Sequence, residues 1–138
     1  MPMTRMSAAA MTLLLVGCSA VIPPDVYLPT YGPLNGLPAA LLEGTLIEDD
    51  GCLWIESERT RWLVLWPRGS AVVEDAGERV VRNGGQRAVI GTRVSAGGGE
   101  YGDGHYEFVV ELIGEQIPAP CREAGLYWLG YEVQTLAQ

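Results

Sequence analysis

Turn-forming residues cut this chain into short apolar runs, and that spacing constrains its fold more than any other feature. Asp50-Gly51, Pro67-Arg68-Gly69-Ser70, Asn83-Gly84-Gly85 and Gly97-Gly98-Gly99 interrupt the pattern, within a total of 18 Gly and 9 Pro in 138 residues. Runs of four to eight apolar residues bounded by such signals read as strands, because Gly and Asn accept the positive φ of tight turns and Pro cannot donate to a ladder. A helical bundle is excluded on this ground. The length supports one domain. Nine Lys+Arg, all of them Arg, stand against 17 Asp+Glu. Phosphate binding needs a basic surface, so a nucleic-acid partner is not expected.

Individual strands follow from the runs. Residues 41–47 read as a first strand, with Glu48-Asp49-Asp50-Gly51 as a hairpin turn. Residues 52–55 form a second strand, and Ser57-Glu58-Arg59-Thr60 turns the chain into a third at 61–66. There Trp62, Val64 and Trp66 share one face, and Leu63 and Leu65 the other. Val72-Val73 is too short to place. Residues 79–82 and 86–90 flank Asn83-Gly84-Gly85 as a hairpin, and 92–95 continue past Gly91. The Gly97–Gly99 run breaks the pattern, as a position of positive φ or close backbone approach. Tyr106–Ile113 fits a strand or a helix. The repeat of Glu107, Glu111 and Glu115 every fourth residue favours the helix. Residues 126–133 form the last strand. Strands apolar on both faces predict a mainly β domain at 39–138, a small antiparallel barrel of OB-like type with one short helix.

The first twenty residues have a different character. Arg5 precedes a nine-residue apolar stretch, Ala8 to Val16, too short for a bilayer span of about 20 residues. This is the layout of a secretory signal. Leu15-Val16-Gly17-Cys18 resembles the lipobox of bacterial lipoproteins. That resemblance implies that residues 1–17 are a signal peptide, that the Cys18 thiol carries diacylglycerol and that the new amino group is acylated. At about 0.8 kcal/mol per buried CH₂, two or three acyl chains make a permanent anchor. Ser19, where lipoproteins retained at the inner membrane of two-membrane bacteria carry Asp, implies the outer membrane if the organism has one. The expected location is therefore the cell envelope, lipid-anchored and extracytoplasmic. Five prolines in residues 19–38 make 18–38 a lipidated tether. Fully extended, it would reach roughly 60 Å, or less if Tyr27, Leu28 and Tyr31 dock on the domain. With Arg5 removed, 8 Arg face 17 acids, a charge of −9. Anionic lipid repels such a domain, which leaves the holding to the acyl chains.

With Cys18 assigned to lipid, Cys52 and Cys121 remain. An oxidising compartment favours a disulfide; two buried thiols or a metal pair are the alternatives. Closing a loop of about 70 residues is worth roughly 4 kcal/mol in the chain-entropy account. A metal site would want more ligands, and the single His is His105. Gly51-Cys52-Leu53-Trp54, Val64-Leu65-Trp66-Pro67, Gly97-Gly98-Gly99-Glu100, and Cys121 with Tyr127-Trp128-Leu129 together resemble a type of small bacterial lipoprotein domain. The resemblance implies a single domain and supplies no activity.

Catalytic constellations are not apparent. His105 lies in a glycine-rich loop, Ser70 reads as a turn residue, and no Gly-x-Ser-x-Gly elbow occurs. Glu48-Asp49-Asp50 reads as a solvated turn and lacks the spacing of an EF-hand. No Lys follows the glycine run, which rules out a P-loop, and no cofactor or metal is expected. Four Trp are largely core material. Trp66, at a strand end beside Pro67 and Arg68, is the candidate exception, so Trp66 and Arg68 are the candidate contact residues. The leading expectation is a non-catalytic envelope module that binds a protein or glycan or serves a structural role. An inhibitor of a basic cell-wall hydrolase such as lysozyme is the alternative, since small disulfide-bonded barrel lipoproteins include lysozyme inhibitors and acidic surfaces steer basic partners. A small envelope hydrolase is the third.

Overall fold

The computed structural model describes residues 26–137. Cys18 and the apolar stretch before it lie outside the described residues. The chain is mainly β, with strands β1 (Thr30–Tyr31), β2 (Ala40–Asp49), β3 (Cys52–Ser57), β4 (Thr60–Pro67), β5 (Ala71–Asp75), β6 (Glu78–Asn83), β7 (Gln86–Val89), β8 (Arg93–Gly102) and β9 (Leu126–Thr135). A 3-10 turn at Asp103–His105 leads into helix α1 (Tyr106–Ile113), and α2 (Ala119–Arg122) is a single turn.

Strands β2, β3 and β4 form an antiparallel meander, β8 returns beside β2, and β9 pairs with both β8 and β4. The ring β2-β3-β4-β9-β8 is therefore closed. It is a five-stranded Greek-key barrel of the OB type anticipated from the runs. The closing pair is parallel, with Leu63 opposite Tyr127 and Leu65 opposite Leu129, so the barrel is not wholly antiparallel. Parallel neighbours need a crossover, and here it is the long route from β4 through β5–β7 and β8 to β9. Strands β5, β6 and β7 form a separate three-stranded sheet, in which Val72-Val73 finds its place opposite Val81 and Val80.

Both apolar faces of β3 and β4 have a use. Leu53, Ile55, Val64 and Trp66 point into the barrel with Leu46, Val94, Ala96, Trp128 and Val133. Cys52, Trp54, Leu63 and Leu65 face outward, beneath Tyr31 and the helical residues Tyr106, Val109 and Cys121. Residue 106 starts a helix because its Tyr and Val109 bury together, one turn apart, on this outer layer, while Glu107 and Glu111 stay in water. Gly114, at φ 76°, supplies the left-handed residue that ends it. The Cys52–Cys121 disulfide is formed, with Cα atoms 5.4 Å apart, and ties α2 to the start of β3.

Three expectations change. First, the glycine run does not end a strand: β8 continues through it to Gly102, with a register shift between Gly97 and Gly98. A Cβ on Gly98 would sit 1.7 Å from the Leu129 carbonyl oxygen. Glycine thus lets β8 and β9 approach closely, and the bulge bends β8 around the barrel. Second, Asn83 does not occupy the left-handed position of its hairpin. It ends β6, and its amide donates to Ser70 Oγ at 2.9 Å, tying this hairpin to the turn after β4. The Asp50-Gly51 turn does adopt the expected conformation, with φ of 54° and 77°. Third, residues 26–38 are not a free tether: the alternative holds, with Tyr27, Leu28 and Tyr31 docked, so the packed domain begins before 39. Tyr27 N–H donates to the Gly51 carbonyl, Trp66 N–H donates to Pro29, and β1 pairs in parallel with the end of β4. Proline suits this edge position, where the missing donor is not required.

Candidate functional site

The two residues singled out as contacts separate in the structure. Trp66 is 2% exposed, inside the barrel beside Val81 and Ala88. Its position at the end of β4 does not expose it, because the β5–β7 sheet and the docked N-terminal segment close over that end. Trp54 and Trp128 are buried as well. Trp62, which sequence reasoning did not favour, is the partly exposed indole, and its Nε1 donates to Glu100 at 3.1 Å. Arg68 is exposed, and among the described residues its guanidinium has no ion-pair partner.

Arg68 marks the rim of an apolar surface that the proline-rich segment builds. Tyr31, Gly32, Pro33, Leu34 and Leu37 line a groove of about 370 Å³ with it. Pro33, Leu34 and Leu37 continue into a second groove of about 640 Å³, closed on its far side by Tyr101, Phe108 and Leu112. Several contacts hold the loop in place. Tyr31 donates its hydroxyl to the Gly130 carbonyl at 2.9 Å, and Gly32 N–H points at the Leu112 carbonyl. Pro38 packs so closely on Gly99 that a Cβ there would approach to 2.7 Å. Tyr101 and Phe108 stack at a tilt, ring centres 5.4 Å apart. The sequence signal for this surface was present in the aromatic and leucine residues between the prolines.

Other OB-type barrels bind oligonucleotides and oligosaccharides on the outer face of the second and third strands. Here that face is the outward side of β3 and β4, and it is covered by α1, α2 and Tyr31. A small groove at Trp54 and Arg61 stays open on that face, and the more apolar grooves lie at the loop 33–38 and its neighbours.

Residues weighed for chemistry have structural partners. Ser70 Oγ donates to the Pro67 carbonyl and accepts from Asn83, a turn role. Glu48 pairs with Arg79, and Asp49 shares Arg61 with Glu56 at 2.8 and 2.7 Å. His105 is exposed, its ring centre 6.1 Å from that of Tyr101 in an edge-to-face arrangement. Among the described residues it forms no hydrogen bond with an acid or hydroxyl, and no three His, Cys, Asp or Glu side chains converge as a metal set. No helix among them is long and apolar enough to cross a membrane.

Burial pushes the Tyr31 hydroxyl up to about 12, and Tyr131 adds to the rise. An unfolded tyrosine loses its proton near pH 10. Between pH 10 and 12 the native state therefore holds a proton that the unfolded state has released, so stability falls as pH rises through that window. Tyr31→Phe should remove this part of the alkaline slope, on the order of 1–2 kcal/mol at its upper end, while costing about 1–2 kcal/mol at neutral pH for the lost hydrogen bond. Urea midpoints measured from pH 8 upward decide it, and an unchanged slope would assign the effect to another group.

No protein-family model, curated protein or solved structure matches this chain.

Proposed function

We propose that this is a lipid-anchored, extracytoplasmic envelope protein whose barrel serves as a non-catalytic binding or structural module. The observation that carries the reading is the Cys52–Cys121 disulfide. A cross-link of this kind suits an oxidising compartment outside the cytoplasm. It also leaves Cys18 as the remaining thiol, in the lipobox-like Leu15-Val16-Gly17-Cys18 at the end of an apolar leader. The absence of a paired base and nucleophile among the described residues supports a binding role over turnover. Its open apolar surface is the groove around Leu37.

A second reading, inhibition of a basic hydrolase, has one observation in its favour. Glu107 and Glu111 lie exposed on α1 and Glu115 just past its end, without ion-pair partners among the described residues. A stripe of this charge would steer a basic protein at low salt. Salt-dependent capture of lysozyme tests that reading, and turnover assays on cell-wall substrates test for an enzyme.

The anchor itself is tested by mass. Protein extracted from membranes should begin at Cys18 and carry diacylglycerol with or without a further acyl chain. Cys18→Ala should yield unprocessed or soluble protein. An unmodified mature N-terminus at another position would refute the assignment.

A further inference from the structure

Three large apolar side chains are left exposed among the described residues, and two of them share one groove. Leu37 is 57% exposed, Leu41 65% and Phe108 46%. Leu37 and Phe108 line the same groove, and Leu41 follows Pro38 by three residues at the start of β2. Single exposed leucines are ordinary, but two large exposed side chains on one groove, with a third four residues along the chain from Leu37, form a patch. The surface is also built rather than incidental. Pro33 and Pro38 bracket the loop, and Pro38 is seated on Gly99, where any larger residue would displace it.

The proposed anchor keeps a bilayer within reach of this surface. Seven residues separate Cys18 from Val26. At about 3.3–3.6 Å per residue, they cannot hold Val26 more than about 30 Å from Cys18. A domain of this size has a radius of gyration of about 13 Å and is therefore wider than that reach. The domain is thus confined beside the bilayer. Docking becomes an intramolecular event at high effective concentration, so a patch of three side chains, too small to recruit a free protein, is sufficient. The rim selects the lipid. Glu107 and Glu111 are exposed on either side of Phe108 along α1. Anionic headgroups would repel them, whereas zwitterionic ones would not.

We propose that the surface formed by Leu37, Leu41 and Phe108 is a membrane-contact face, which lays the barrel down on zwitterionic lipid. The proposal rests on anchorage through Cys18. It concerns the orientation of the domain, which anchorage alone leaves open.

The test uses full protein extracted from membranes, verified as lipidated by intact mass, and placed in phosphatidylcholine nanodiscs carrying a spin-labelled lipid. Leu37, Leu41 and Phe108 resonances should be broadened about threefold more than those of β5–β7, because insertion places only that face at headgroup depth. Leu37→Ser with Phe108→Ser, both at exposed positions, should keep the folded spectrum and erase the contrast at Leu41. Phosphatidylglycerol in the disc should weaken it. Uniform broadening, or broadening centred elsewhere, in protein that carries its lipid would overturn the proposal and leave the anchor standing. A mass without lipid would overturn both. Dimerisation that the double substitution abolishes would assign the face to a second copy and overturn it as well.

Discussion

Trp66→Ala should destabilise the domain by about 3–5 kcal/mol, the range for deleting a large buried aromatic. Since a domain of this size has only about 5–15 kcal/mol in total, the variant should be largely unfolded at modest urea. The side chain fills the barrel end with Val64, Val81, Ala88 and Trp128 around it. No second residue is placed to collapse into the space, because the strands on both sides are fixed by their ladders. Trp66→Phe separates packing from polarity. The indole Nε1 is buried without a hydrogen-bond partner among the described residues, and an unpaired buried donor itself costs about 1–3 kcal/mol. The phenylalanine variant loses volume but also loses that donor, so its cost should be well below that of alanine. Arg68→Ala is the matched control two residues on. Its exposed side chain should change stability by no more than about 0.5 kcal/mol. Denaturant midpoints for the three variants test the assignment. A folded Trp66→Ala domain with unchanged midpoint would mean that the tryptophan is not part of the core.

The contrast between these neighbours shows what a sequence of this kind discloses. Period and turn chemistry were sufficient for β2, β3, β4, β7 and β9, because Asp50-Gly51 and Pro67 state their boundaries locally. At Tyr106–Ile113 the Glu spacing favoured a helix over a strand without deciding it, and the helix forms with Glu115 beyond its end. The Cys52–Cys121 pair emerged from counting. Misread features all depend on what another segment brings. Gly97–Gly99 resembles a strand terminator until Leu129 stands opposite Gly98. Trp66 resembles a surface residue until β6, β7 and the segment at 26–31 cover it. The prolines resemble a spacer until their missing donors face an edge where none is needed. For Trp66 and the prolines the local signal was correct about backbone conformation and silent about long-range burial, whereas at Gly97–Gly99 the backbone itself was set by the strand opposite. The groove at Leu37 is of the same kind, since it exists only because the docked loop meets α1.

Removal of the disulfide should lower stability by about 2–5 kcal/mol, the usual result for a small secreted domain. The two cysteines are 69 residues apart in sequence. In the chain-entropy account, a closed loop of that length restricts the unfolded chain by roughly 4 kcal/mol. The structure adds a local reason for sensitivity. Cys121 sits on α2, a helix of four residues that cannot support itself. Through Cys52 it is tied to the outer face of β3, and the buried Tyr106, Val109 and Ile117 share that layer. Losing the link should therefore loosen α2 and the segment leading into β9 before the barrel opens. Cys52→Ala with Cys121→Ala, which avoids a stray thiol, is the appropriate variant. Hydrogen exchange should show faster amide exchange at 117–125 with the β2–β3–β4 meander still protected, together with a lower urea midpoint. Equal loss of protection everywhere would mean that the bond acts only on the unfolded chain. An unchanged midpoint would show that packing of Tyr106, Val109 and Ile117 suffices without it.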